Sequence, residues 1–155
     1  GADVPFFAAK CAAARVTGIG EVVDPLPVPA PLLAVLAQPA FRLSTAAVFA
    51  ELRSADLASD RPSGNDLLAP ALRLRPELAD VLRAVTAAGG QPQLTGSGSV
   101  VFALTDDAER AAAIAGRLRQ GGLRVIETRL RTAPAGIDGP ADASNDAGAL
   151  SPGVG

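Results

Sequence analysis

Three short runs in this 155-residue sequence carry side chains whose type and spacing suit chemistry on a hydroxyl or an anion. Gly1-Ala2-Asp3-Val4-Pro5 holds one carboxylate between a glycine and a proline. As structure, Asp3 is an ordinary turn or cap residue. As chemistry, it is a fixed base directed at a substrate hydroxyl. Gly96-Ser97-Gly98-Ser99 stands before the apolar run Val100-Val101-Phe102-Ala103-Leu104. It reads as a hairpin turn, because glycine supplies the positive φ such turns need, or as a nest of backbone N–H groups and hydroxyls facing an anion. Ser44-Thr45 reads as a helix start, a position that also suits a phosphate or carboxylate.

Composition removes several alternatives. The chain has no His and a single Cys, Cys11, so Ser-His-Asp and Cys-His catalysis are excluded, as is a structural zinc site. Acid–base work then falls to a carboxylate, to Lys10 or to a cofactor. Lys10, the only lysine, reads as a solvated charge, Cys11 as a small apolar group, and Asn65-Asp66 as capping chemistry. Gly96 and Gly98 do not begin a dinucleotide fingerprint, since Val101 takes the third glycine position and no helix opens there. A net charge of −2 with scattered arginines gives no basic stripe, so no nucleic-acid partner is expected. No apolar run reaches the ~20 residues of a membrane span, and no signal-peptide pattern is present. A lone cysteine fits a reducing compartment, and the expected location is cytoplasmic. The sequence holds no Met and begins inside what reads as a working loop, which suggests a piece of a longer protein.

The elements that must position these residues follow from the pattern. Residues 6–23 read as extended, with a turn at Gly18-Ile19-Gly20. Pro25, Pro27, Pro29 and Pro31 form a stiff connector. Residues 32–37 are a continuously apolar strand. Ser44 caps a helix to about Leu52 with Val48, Phe49 and Leu52 inward; residues 54–64 are a polar loop; Asn65 caps a short helix to Leu72. Pro76 opens the clearest helix, whose stripe is Leu78, Val81, Leu82 and Val85, and Gly89-Gly90 ends it. Strands at 91–95 and 99–104 flank the glycine loop. Asp106 with Glu109 makes a capping box for a helix whose inner stripe is Ala111, Ile114, Ala115 and Leu118, and a last strand covers 123–130.

From residue 32 the order is strand, helices, strand, strand, helix, strand. That order predicts an α+β fold, a ferredoxin-like split βαβ with extra helices in the first crossover and an antiparallel sheet covered on one face. The Ala-, Gly- and Pro-rich stretch 132–155 reads as a disordered tail.

Five motifs in this order resemble the GHMP kinases, the family of galactokinase and of homoserine, mevalonate and phosphomevalonate kinases. They are Gly1-Ala2-Asp3-Val4-Pro5-Phe6, Gly18-Ile19-Gly20-Glu21, Ser44-Thr45-Ala46-Ala47-Val48-Phe49, Asn65-Asp66-Leu67 and Gly96-Ser97-Gly98-Ser99. They are most similar to the branch that phosphorylates the 2-hydroxyl of 4-diphosphocytidyl-2-C-methyl-D-erythritol in non-mevalonate isoprenoid synthesis. The resemblance covers residues 1 to about 130 and implies the C-terminal portion of such an enzyme. Residues 1–30 would be a remnant of the N-terminal domain with its linker, and 31–131 the C-terminal domain. By resemblance Asp3 is the catalytic aspartate, Thr45 lies close to the substrate, and Gly96, Ser97 and Gly98 form a loop bordering the active site. ATP and Mg²⁺ are the implied cofactors. The family's Gly- and Ser-rich phosphate loop has no counterpart in these residues, and Lys10 does not match the lysine that partners the aspartate. Ala40 and Thr95 are milder departures, where Gly and Ser are common. The implied chain is a fragment inactive alone and dependent on its own N-terminal portion. Two other readings stay open: another GHMP small-molecule kinase, or a non-catalytic ferredoxin-like domain binding a ligand or a partner.

Overall fold

The computed structural model describes residues 3–28, 32–57 and 64–133. They fall into two compact units, the first within residues 3–27 and the second spanning Val28–Thr132. The expected tail lies outside the described residues from 134 onward, as do Pro29 and Pro31 of the connector and residues 58–63 of the polar loop.

The first unit is a short helix and a hairpin. Helix α1 (Val4–Ala8) replaces the extended start expected from the Val-Pro-Phe-Phe run. Pro5 is the reason: in the first turn its missing N–H costs nothing and its fixed φ is already helical. The rings of Phe6 and Phe7 meet edge to face, with centroids 5.3 Å apart. Strands β1 (Ala14–Thr17) and β2 (Val22–Pro25) pair antiparallel from Ala14↔Pro25 to Thr17↔Val22. The turn falls at Gly18-Ile19-Gly20 as the sequence predicts, with positive φ at both glycines.

The second unit is built on four strands, β3 (Leu33–Gln38), β4 (Gln93–Leu94), β5 (Val101–Thr105) and β6 (Arg124–Arg129). Their order in the sheet is β4-β5-β3-β6, and every pairing is antiparallel. Each βαβ crossover therefore leaves a gap that a strand of the other crossover fills, which is the split βαβ arrangement. Helices α2 (Thr45–Ala50), α3 (Leu68–Leu74) and α4 (Leu78–Ala87) lie in the first crossover, and α5 (Ala108–Gln120) in the second.

Alternation along the strands decides which face is covered. Val35 and Ala37 of β3 and Val101 and Ala103 of β5 are buried in one cluster with Leu78, Val81 and Val85 of α4 and Ala111, Ile114, Ala115 and Leu118 of α5. Both helical stripes are those the 3.6-residue period predicts. Each large member of this cluster contributes ~1.5–3 kcal/mol by leaving water. Leu36, Phe102 and Leu104, at the alternate positions, belong to the other face and border an apolar groove there.

Two local expectations shift. Phe49 is 55% exposed rather than inward, and only Val48 of α2 is buried. The cap of α5 is Asp107, not Asp106: its Oδ1 accepts from the amides of Glu109 and Arg110, and its own amide donates to Thr105 Oγ1. Strand β5 runs one residue further than expected, so the cap moves with it.

Candidate active site

The glycine loop is a turn joining β4 to β5. The Gly98 amide donates to the Thr95 carbonyl (2.7 Å), and the Thr95 amide and hydroxyl both donate to the Val100 carbonyl. Gly98 has φ +91, and a Cβ there would sit 3.0 Å from Leu43 and 3.1 Å from Leu94. The backbone angle favours glycine at that position, and the space beside Leu43 and Leu94 is tight for any side chain.

This turn brings Ser97 to Thr45. The two hydroxyl oxygens are 2.9 Å apart, although the residues are 52 positions apart in sequence. Thr45 is the first residue of α2, and Ser44 before it adopts the extended backbone of an N-cap and accepts from the Ala47 amide (3.4 Å). Thr45 is exposed and Ser97 half-buried. Ser99 is engaged elsewhere: its hydroxyl donates to the Phe41 carbonyl (2.9 Å) at the wall of a cavity of about 310 Å³ that also contains Arg42 and Arg124.

Asn65 ties the same turn to the start of α3. Its Nδ2 donates to the carbonyls of Leu94 (3.0 Å) and Gly96 (2.9 Å), while its Oδ1 accepts from the Leu67 amide (2.9 Å). Asn65 is not the helix cap that the sequence predicts: α3 begins at Leu68, its N-cap Leu67 carries no side-chain cap hydrogen bond, and Asn65 instead closes the turn just before the helix, where its own carbonyl accepts from the Leu68 amide. Below this, Arg73 of α3 binds Asp56 and Glu51 together. Nη2 donates to Asp56 Oδ2 (2.6 Å) and to the Glu51 carbonyl, and Nε donates to Glu51 Oε1 (2.8 Å). Hydrogen bonding to Arg73, partly opposed by burial, holds the Glu51 carboxyl below its ordinary range, and Asp56 pushes the Arg73 guanidinium further toward the charged form. Sequence reasoning missed this cluster, because residues 51, 56 and 73 share no helical or strand spacing.

Asp3 belongs to the first unit. It stands at the N-cap of α1, exposed, with its carbonyl accepting from the Phe7 amide and its carboxylate making no cap hydrogen bond. Lys10, just past that helix, is exposed with φ +49, and Cys11 is partly buried. Thus Thr45 and Ser97 are brought together within one unit, with Gly96 and Gly98 framing the contact.

The split βαβ domain has counterparts among known proteins. The family model described as GHMP kinases C terminal matches residues 39–122, and the chain belongs to that family. It is 37% identical over 136 residues to the 4-diphosphocytidyl-2-C-methyl-D-erythritol kinase of Paracoccus denitrificans, covering 76% of this chain and 50% of that protein. The enzyme of the same name from Thermobifida fusca is 39% identical over 144 residues, covering 79% and 47%. A crystal structure of a 4-(cytidine 5'-diphospho)-2C-methyl-D-erythritol kinase superposes with a TM-score of 0.70 at 33% identity, over 88% of this chain and 55% of that one. Homoserine kinase from Cytophaga hutchinsonii, with a TM-score of 0.51 at 20% identity over 73% and 45%, shares the fold. The chain spans about half the length of the curated relatives it matches.

Proposed function

We propose that this chain is the C-terminal portion of an ATP-dependent kinase that phosphorylates the 2-hydroxyl of 4-diphosphocytidyl-2-C-methyl-D-erythritol, in the non-mevalonate route to isoprenoids. The observation that carries this reading is the 2.9 Å contact of Thr45 with Ser97. It joins two separated motifs of a chain whose relatives bear that enzyme's name.

In this reading Asp3 accepts the proton of the attacking hydroxyl as the new O–P bond forms, and the bond to the leaving diphosphate breaks. Its carboxylate makes no cap hydrogen bond to the helix it opens, which leaves it available for that proton. Thr45 lies against the acceptor substrate, and the turn Gly96-Ser97-Gly98 borders the reacting groups and holds the Thr45 hydroxyl in one direction. When bound, ATP would supply the phosphoryl group and Mg²⁺ would offset its charge. Among the described residues no group of three or more His, Cys, Asp or Glu could hold a metal ion. We assign the triphosphate and its Mg²⁺ chiefly to the half of the relatives' length that this chain does not span, and expect the chain alone to be inactive. Among the described residues no helix is long and apolar enough to cross a membrane. The cytoplasm is the expected place of action.

The test joins the chain to the coding sequence upstream of Gly1 in its gene and measures ATP-dependent phosphorylation of 4-diphosphocytidyl-2-C-methyl-D-erythritol. The joined protein should turn over. The chain alone should not, and Asp3→Asn in the joined protein should be slower by ~10²–10⁴-fold. No turnover in the joined protein would remove the substrate assignment. Full activity of Asp3→Asn would keep the kinase and remove Asp3 from the chemistry.

A further inference from the structure

We infer that Asn65 is a positioning residue: its side-chain amide clamps the entry limb of the Gly96-Ser97-Gly98 turn and so fixes the direction in which Ser97 meets Thr45. The consequence for catalysis rests on the functional reading above; the clamp itself does not.

The turn has two limbs, and its own hydrogen bonds restrain them unequally. Gly98 leaves no free room for a Cβ beside Leu43 and Leu94 and is tied to Thr95 through its amide. Gly96, with φ +49, has no atom within 4 Å of the place where a Cβ would stand. The peptide leaving Gly96 is thus free of side-chain packing on that side, and glycine is the residue with the most backbone freedom to lose. What holds it is the Gly96 carbonyl, which accepts from Asn65 Nδ2 at 2.9 Å. The second proton of the same amide goes to the Leu94 carbonyl at 3.0 Å, so one rigid group grips the chain on both sides of Thr95.

The turn before α3 does not by itself need this residue type. The Oδ1 contact with the Leu67 amide, in the turn just before α3, can be made by Asp or Ser, whose oxygens accept in the same way. Only an amide side chain supplies an acceptor together with two donors. Asp in this position would aim one carboxylate oxygen at two carbonyl oxygens. Ser would keep the acceptor but lack the reach to both carbonyls.

Asn65→Asp and Asn65→Ser separate the two roles, and either serves if the other fails to fold. In the 155-residue chain, amide hydrogen exchange is followed at Thr95 and Gly98, whose N–H groups close the turn, and at Ala71, inside α3. Exchange at Thr95 and Gly98 should quicken by about tenfold or more, the scale of one or two lost hydrogen bonds, with Ala71 unchanged. Unchanged exchange at Thr95 and Gly98 would overturn the clamp, and equal quickening at all three sites would reduce Asn65 to a general support of the fold. In the joined protein, kcat/KM for phosphorylation should fall about tenfold, and adding Ser97→Ala should cost little more, because both changes act on one contact. Additive losses would overturn the route through Ser97. Should the unsubstituted joined protein not phosphorylate the substrate, the functional reading fails while the exchange result still decides the clamp.

Discussion

Arg73 grips Asp56 with both terminal nitrogens, Nη2 to Oδ2 at 2.6 Å and Nη1 to Oδ1 at 3.2 Å, across 17 positions of sequence. Asp56 is only 4% exposed, and its Oδ2 also accepts from the Arg53 amide (2.9 Å). The pair therefore fastens the segment after α2 to α3. Asp56→Ala should lower the unfolding free energy by about 2 kcal/mol, because it strands partners that have little water to turn to. Denaturant titration checks this: the midpoint should fall with an unchanged slope. A midpoint equal to that of the parent chain would show the pair to be energetically idle.

Glu51 makes the same cluster sensitive to acid. Its carboxyl is held below the ordinary range, first by the hydrogen bond from Arg73 and further by Arg53, with partial burial working the other way. A carboxyl depressed in the folded state binds its proton first in the unfolded chain, so its stabilisation is complete above the ordinary carboxylate pKa. It is lost as pH falls through the folded value. Between about pH 6 and pH 3 the Tm of the parent chain should drop more steeply than that of Glu51→Gln. Parallel curves would contradict the assignment.

Two glycines predict opposite signs for the same substitution. A Cβ at Gly90 would stand 2.8 Å from the Ala103 Cβ and 3.0 Å from Val85 Cγ1, against the helix-covered face of the sheet. Gly90→Ala should destabilise by ~1–3 kcal/mol through overpacking. Gly116 lies inside α5 with open space where its Cβ would be. Gly116→Ala should stabilise by ~0.5–1 kcal/mol, since alanine loses less backbone entropy in a helix. Thermal melts of the two variants should move apart in opposite directions.

Ser97→Ala removes one half of the hydroxyl pair while leaving the turn's backbone bonds in place. Thr45 is exposed, so stability should change by less than about 1 kcal/mol. In the joined protein kcat/KM should fall by up to about tenfold, the worth of one net hydrogen bond. A fall in stability without a fall in rate would mark the contact as scaffolding.

Much of the domain was legible because its signals are local and redundant. The stripes of α4 and α5 and the unbroken apolar run of β3 each allow one reading, and their order is enough to identify the split βαβ. Helix α1 was not, because Val4, Phe6 and Phe7 favour a strand and only Pro5 favours the helix that forms. The site was legible in part. Thr45 and the glycine turn were found by motif resemblance, but their contact spans 52 positions and has no local signature. Asn65 was read for its acceptor alone. Its donors reach carbonyls 29 and 31 residues away, which no pattern of neighbours reveals.

The strand order also sets a schedule for the growing chain. Strand β3 is central, paired with β5 on one side and β6 on the other, from Leu33↔Arg129 to Gln38↔Arg124. The earliest strand of this unit to leave the ribosome therefore stays bare along one edge until the latest one is made. A nascent chain that has emerged only as far as Thr105 carries an unpaired apolar β3 edge, which is adhesive toward other chains. Release of residues 124–129 closes that edge. Pauses or truncations placed just before Arg124 should thus produce the most aggregation-prone products of this gene, more so than cuts made before Leu33 that leave the sheet unstarted.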